Sequence, residues 1–124
     1  MTASAEERIR QLTAGMLRKQ LHVILWKGNT SPDRLRELLP THLEFMIDLE
    51  KRGILFASGP LDGGARGDGL TILRAASLDE AKQIANRDPF VVNGLRTFEV
   101  REWTVMEGSL NIKVNFSDQS LELA

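Results

Sequence analysis

The sequence predicts an α+β domain with four strands and two helices in the order βαββαβ, and three observations carry that prediction. Short runs rich in apolar and β-branched residues at 21–26, 54–58, 70–75 and 97–106 read as strands. Two intervening stretches space their apolar residues three and four apart, as helices do. Each of these stretches opens on a serine cap and is closed by Gly53 or by Asp88-Pro89.

Taken in order, Ser4 with Glu7 forms a capping-box pattern ahead of Ile9, Leu12 and Met16, which predicts a short amphipathic helix before the main domain. Leu21 to Trp26, ended by Lys27, Gly28 and Asn29, predicts the first strand. Ser31 and Pro32 suit N-cap and N1 of the longest helix, whose stripe is Leu35, Leu38, Leu39, His42, Met46 and Leu49. Pro40 lies inside that helix and predicts a kink or break near Leu39, because proline lacks the backbone donor and crowds the preceding turn. Ile54 to Ser58 is the second strand, closed by Gly59 and Pro60. Asp62 to Gly69 holds four glycines and predicts a mobile hairpin connection to the third strand, Leu70 to Ala75.

Ser77 with Glu80 repeats the capping box before Leu78, Ala81, Ile84 and Ala85, and this helix ends at Asp88 and Pro89. Thr97 to Met106 is the fourth strand, and a turn at Glu107 and Gly108 leads to Leu110, Ile112, Val114 and Phe116, which alternate with polar residues as one further strand. The whole is a ferredoxin-like sheet with helices on one face, an extra N-terminal helix and an extra C-terminal strand. The expected limits are 1–19 for the N-terminal extension, 20–106 for the domain and 107–124 for the C-terminal extension. The first strand is apolar on both sides, with Leu21, Val23 and Leu25 opposite Ile24 and Trp26, and a second copy of the chain is the simplest cover, so a homodimer or larger is expected.

Composition narrows the function. The 124 residues suffice for one core. With 16 Lys plus Arg against 17 Asp plus Glu there is no basic footprint for nucleic acid. The absence of cysteine removes disulfides, thiol nucleophiles, Cys-ligated zinc and iron–sulfur clusters. Charged residues from Glu6 to Lys19 interrupt any apolar run that a signal or membrane span needs, so the expected setting is cytoplasmic, with no membrane partner.

Imidazole chemistry must use His22 or His42. His22 has no pattern around it, whereas helical geometry centres His42 on the apolar stripe of its helix. Asp88 lies on the inward face of the other helix, in step with Ala81, Ile84 and Ala85. A carboxylate that accepts from one imidazole nitrogen fixes the tautomer and prepares the other nitrogen as a base. The plainer alternatives are a core histidine bonded to backbone and an aspartate that ends a helix. Ser58, Gly59 and Pro60 end a strand where a hydroxyl or free N–H could bind an oxyanion, or they form a simple strand exit. The glycine-rich loop lacks Gly-Lys-Ser/Thr and precedes a strand, which argues against a phosphate cradle, and no ligand set favours a metal.

His42, then Gly-Ile-Leu-Phe-Ala-Ser-Gly-Pro at 53–60, Glu80-Ala81, Asp88-Pro89-Phe90 and Val100 to Trp103 in that order resemble the YCII (YciI-like) family over about residues 20–106. The resemblance implies a dimeric α/β barrel related to muconolactone isomerase, with a pocket lined by His42, Asp88, Ser58, Gly59 and Pro60. It also implies an acid–base pair of His42 and Asp88, as in a dehydrochlorinase of the family that acts on a chlorinated hydroxyquinol. The N-terminal helix, Pro40 and Leu110 to Phe116 depart from the family pattern. Together these readings give a small cofactor-independent lyase or isomerase acting on a small cyclic or aromatic-derived metabolite, its pocket edged also by Trp26, Phe90 and Trp103. The alternative is a non-catalytic binding or accessory module of the same fold.

Overall fold

The computed structural model describes residues 4–123, which divide into two compact units, one of residues 19–104 and one formed by the two ends of the chain. The larger unit holds β1 (Lys19–Gly28), α1 (Pro32–Lys51), β2 (Leu55–Pro60), a 3₁₀ turn (Asp62–Gly64), β3 (Gly69–Leu73), α2 (Leu78–Asn86), a short α3 (Pro89–Val92) and most of β4 (Arg96–Val105). Its sheet order, β2-β3-β1-β4, is that of the ferredoxin-like fold, with β3 antiparallel to both β1 and β2.

Strand alternation explains the core. On β1, His22, Ile24 and Trp26 are buried on the helix-covered side, where Ile24 and Trp26 pack with Leu73, Met46, Leu49, Ala81, Ile84 and Ala85. Val23 and Leu25 point the other way and pair with Ile72 and Leu70, so these four share one face. That face stays half-buried or exposed, with Leu25 at 37%. A second small cluster of Leu35, Phe90 and Leu95 ties α1 to α3.

Several local features differ from the sequence reading. α1 runs unbroken through Pro40. The proline removes the donor that would meet the Arg36 carbonyl, and both residues are exposed, so water can take the lost bond. The 62–69 connection is a built turn, with Gly64 N–H donating to Leu61 O at 2.8 Å and Gly67 N–H to Gly64 O at 3.0 Å. Asp68 anchors it by accepting from the Gly28 N–H at 2.9 Å. A Cβ on Gly28 would fall 1.4 Å from the Arg66 carbonyl, so only glycine lets this loop lie against the end of β1. Beyond α2, Asp88 and Pro89 start a further helical turn, the N-cap and N1 pairing already used at Ser31 and Pro32.

Both turns that return the chain to the sheet are glycine-capped. Gly53, at φ 75°, donates to Glu50 O while Ile54 N–H reaches Leu49 O, and Gly94, at φ 72°, donates to Val91 O while Leu95 N–H reaches Phe90 O. Each pair of bonds is a Schellman closure, which satisfies the last carbonyls of the helix. The second one aims the chain into β4 so that Arg96 starts inward.

In the smaller unit, a helix (Ala5–Thr13) begins where the Ser4 hydroxyl accepts from the Glu7 N–H at 3.1 Å. The expected single strand from Leu110 to Phe116 is shorter. Residues Ile112–Val114 form β5, paired antiparallel with β6 (Leu121–Leu123). Asp118 and Ser120 build the turn between them, with Asp118 Oδ1 accepting from the Ser120 N–H at 3.0 Å. That polar turn lets the chain double back, and the alternation alone does not announce it.

Candidate active site

A cavity of about 780 Å³ opens between α1 on one side and β2 with the 60–69 turn on the other. At its inner end stands a buried charge cluster. His42, half-buried on α1, holds Asp88 Oδ1 at 2.5 Å through Nδ1. Asp88 is fully buried, and its second oxygen accepts from Arg96 Nε at 3.0 Å. Its carboxylate makes no helix-capping bond of its own, because both oxygens serve the site.

This arrangement sets the tautomer of His42 by inference. A carboxylate accepts, so Nδ1 carries the hydrogen, and in the neutral ring Nε2 keeps a free lone pair. Phe90 holds the ring in place, stacked at 4.5 Å between centroids and 20° between planes. The Arg96 guanidinium lies 3.9 Å over Trp26 and 5.0 Å from Phe90. Burial pushes Arg96 below the usual arginine range, and the charge and hydrogen bond of Asp88 oppose that push. It remains a cation.

A second polar chain reaches the cavity from below. Trp26 Nε1 donates to Thr71 Oγ1 at 2.8 Å, and Thr71 Oγ1 lies 2.8 Å from Ser58 Oγ. The indole can only donate, and Thr71 is buried, so its single hydroxyl hydrogen is satisfied by pointing at Ser58. Ser58 then has its own hydrogen free for the cavity that it lines.

Of the residues singled out in the sequence, His42, Ser58, Gly59, Pro60, Trp26 and Phe90 line the cavity, and Asp88 stands directly behind His42. Trp103 does not line it. Phe98 and Val100 pack into the core, so alternation along β4 turns Trp103 to the opposite face, where it is 40% exposed. Arg96 and Thr71 were not singled out. A buried arginine opening a strand reads as an ordinary surface cation until its partners are known, and Thr71 looks like any β-branched strand residue. His22 is buried, and neither ring nitrogen has a hydrogen-bond partner among the described residues. Among the described residues no group of three or more His, Cys, Asp or Glu side chains could hold a metal, and no helix is long and apolar enough to cross a membrane.

The family description "YCII-related domain" matches residues 20–104. The chain belongs to the YCII-related domain family. No curated protein matches it. A solved structure similar to this YCII-related domain is 5-chloro-2-hydroxyhydroquinone dehydrochlorinase (TftG) from Burkholderia phenoliruptrix AC1100, in complex with 2,5-dihydroxybenzoquinone. The two share 24% identity and a TM-score of 0.58, over 67% of this chain and 92% of that one. At that identity the likeness establishes the fold.

Proposed function

We propose that this protein is a small acid–base enzyme that needs no cofactor, a lyase or isomerase of the dehydrochlorinase kind, acting on a small cyclic or aromatic-derived metabolite. The observation that carries the reading is the 2.5 Å contact between His42 Nδ1 and the fully buried Asp88, at the inner end of a cavity large enough for one such molecule. In this reading His42 Nε2 takes a proton from the substrate, and the electron pair left behind moves onto a substrate oxygen. That oxyanion either expels a leaving anion from a neighbouring carbon or is reprotonated at a different carbon by the imidazolium. The free hydroxyl hydrogen of Ser58 is a donor for the developing charge, with Gly59 and Pro60 leaving the backbone open to close approach. The similarity to a dehydrochlorinase that binds a dihydroxybenzoquinone supports the substrate class.

The same reading includes a homodimer. Val23, Leu25, Leu70 and Ile72 form an apolar patch on the sheet face away from the helices, and a second copy would cover it. Light scattering at micromolar protein should return twice the chain mass or more, for a homodimer or a larger assembly, and a monomeric mass would count against it. A cytoplasmic setting completes the proposal.

The test is a thermal-shift screen of phenolic, quinone and lactone metabolites, followed by turnover assays on those that stabilise the protein. His42→Asn should keep the fold and the binding while turnover falls by at least about 100-fold, within the usual worth of general acid–base catalysis. Full turnover in that variant would overturn the assignment. Tight retention of a metabolite without any turnover by the wild type would instead favour a binding module.

A further inference from the structure

Arg96 carries more donor capacity than Asp88 uses. The guanidinium is buried, at 6% exposure, and meets Asp88 through Nε. Nη2 is sealed from solvent with no hydrogen-bond partner among the described residues. Leaving a buried donor on a cation unpaired is costly, and such groups ordinarily find an acceptor. The residue is nonetheless part of the cavity wall beside Gly69, where a Cβ would stand 3.9 Å from Nη1. Trp26 lies against the face of the guanidinium at 3.9 Å. What remains for a ligand is the in-plane N–H edge, the part of arginine that matches a planar oxyanion.

We propose that the cavity selects a planar organic anion, whose charged oxygen binds the Nη edge of Arg96 beside His42. The inference rests on the acid–base reading of His42, because charge bookkeeping links the two. Asp88 is shared between Arg96 and His42, so once His42 holds a proton the three groups carry one net positive charge, facing the cavity. Arg96 thus holds the anionic oxygen of the substrate and the extra negative charge that proton removal creates, while Asp88 stays committed to orienting His42. The other charged residues lining the cavity, Arg36, Glu50 and Asp68, sum to one net negative charge, so the preference for an anion belongs to Arg96 and His42.

The experiment compares benzoate with benzamide, two planar probes of nearly equal size that differ in charge, by calorimetric titration at pH 7. Benzoate should bind the wild type about 10- to 100-fold more tightly, the range of one charge-assisted hydrogen bond over a neutral one. Arg96→Met should bring the two affinities together, and Arg96→Lys should retain a reduced preference for benzoate. Both variants disturb a buried pair, so the wild type supplies an independent readout. In protein labelled with ¹⁵N-arginine, benzoate and not benzamide should shift the guanidinium signals of the buried arginine. Equal affinity for the two probes, no saturable binding of benzoate at millimolar concentration, an undiminished preference in Arg96→Met or unmoved guanidinium signals would each overturn the proposal. His42→Asn separates the two readings. It should keep the part of the benzoate preference that Arg96 supplies, whereas full turnover in that variant would sink the acid–base assignment and leave the Arg96 contact standing.

Discussion

Replacing Asp88 by Asn changes one atom in the centre of the site and tests whether the buried cluster is held together by charge. The asparagine would keep the volume but offer one acceptor oxygen where Asp88 offers two, at 2.5 Å from His42 Nδ1 and 3.0 Å from Arg96 Nε. If the oxygen stays with Arg96, the amide NH₂ faces His42, which must then accept through Nδ1 and carry its hydrogen on Nε2. Both bonds can persist, but each loses the carboxylate's negative charge: the bond to His42 becomes neutral, at a cost of about 1 kcal/mol or somewhat more, and the bond to Arg96 keeps only the charge of its donor. The Arg96 cation also remains buried without a counter-charge. Removing one partner of a buried pair costs about 3 to 5 kcal/mol, and the retained hydrogen bonds place Asp88→Asn near the lower end. For a chain of this size, about 3 kcal/mol lowers the melting temperature by roughly 10 to 15 °C. Far-UV circular dichroism melts and urea titrations at pH 7 measure the loss, and ¹⁵N shifts of His42 read the tautomer. A melting point within about 2 °C of wild type, or an unchanged tautomer, would refute the view that Asp88 holds and orients both neighbours.

Three further outcomes follow from features outside that cluster. Thr71→Val preserves shape but leaves the buried Trp26 Nε1 without an acceptor, so stability should fall by about 1 to 3 kcal/mol in urea titrations, and a neutral result would mean water replaces the hydroxyl. Gly53→Val should cost about 1 to 2 kcal/mol from backbone strain alone, because φ is 75° and a Cβ there meets nothing within 4 Å; an unchanged melting curve would refute it. Hydrogen bonds from the backbone and hydroxyl of Ser120 hold Asp118 below the ordinary aspartate range. A depressed carboxylate stabilises above its unfolded pKa of about 3.9 and loses that contribution as pH falls through the lower folded value. Protection of the Ser120 N–H against hydrogen exchange should therefore fall in that acid window in wild type and stay flat with pH in Asp118→Asn. Identical profiles would show that the bond does not hold the turn.

The fold was legible because it is written in periodicity. The serine caps at Ser4, Ser31 and Ser77, the glycine at Gly53 and the strand alternation depend on neighbours within a few residues, and local physics decides them. The inward positions of His42 and Asp88 were legible for the same reason, since each sits on an apolar stripe. Arg96 was not, because its inward start depends on the Gly94 closure before it and on a carboxylate eight residues away. Ser58 shows a subtler limit. Simple alternation would put Leu55 and Ser58 on opposite faces, but the register shift between Leu55 and Ala57 adds a residue, so Leu55 pairs with Leu73 and Ser58 with Thr71. Both partners are buried on the helix side, so Leu55 and Ser58 share it. Phe56 sits in the shift, 49% exposed beneath Arg74. The Trp103 expectation failed for the complementary reason, because its place in the sequence does not tell which face of β4 the cavity occupies.

The contact of Arg96 with Trp26 has an optical consequence. The chain has two tryptophans, and their surroundings differ sharply. Trp26 is 5% exposed, bonded through its indole N–H, pressed by a guanidinium and in the wall of the cavity, whereas Trp103 is 40% exposed on the other face of the sheet. While that face is uncovered, as in the single chain, an aqueous quencher such as acrylamide will extinguish Trp103 first, leaving an emission spectrum dominated by Trp26. A negatively charged occupant that draws on Arg96 alters the field across that indole, and its emission will shift in wavelength or intensity. The protein thus carries a built-in fluorophore at the inner end of its own cavity, and occupancy can be followed by light without attaching a dye.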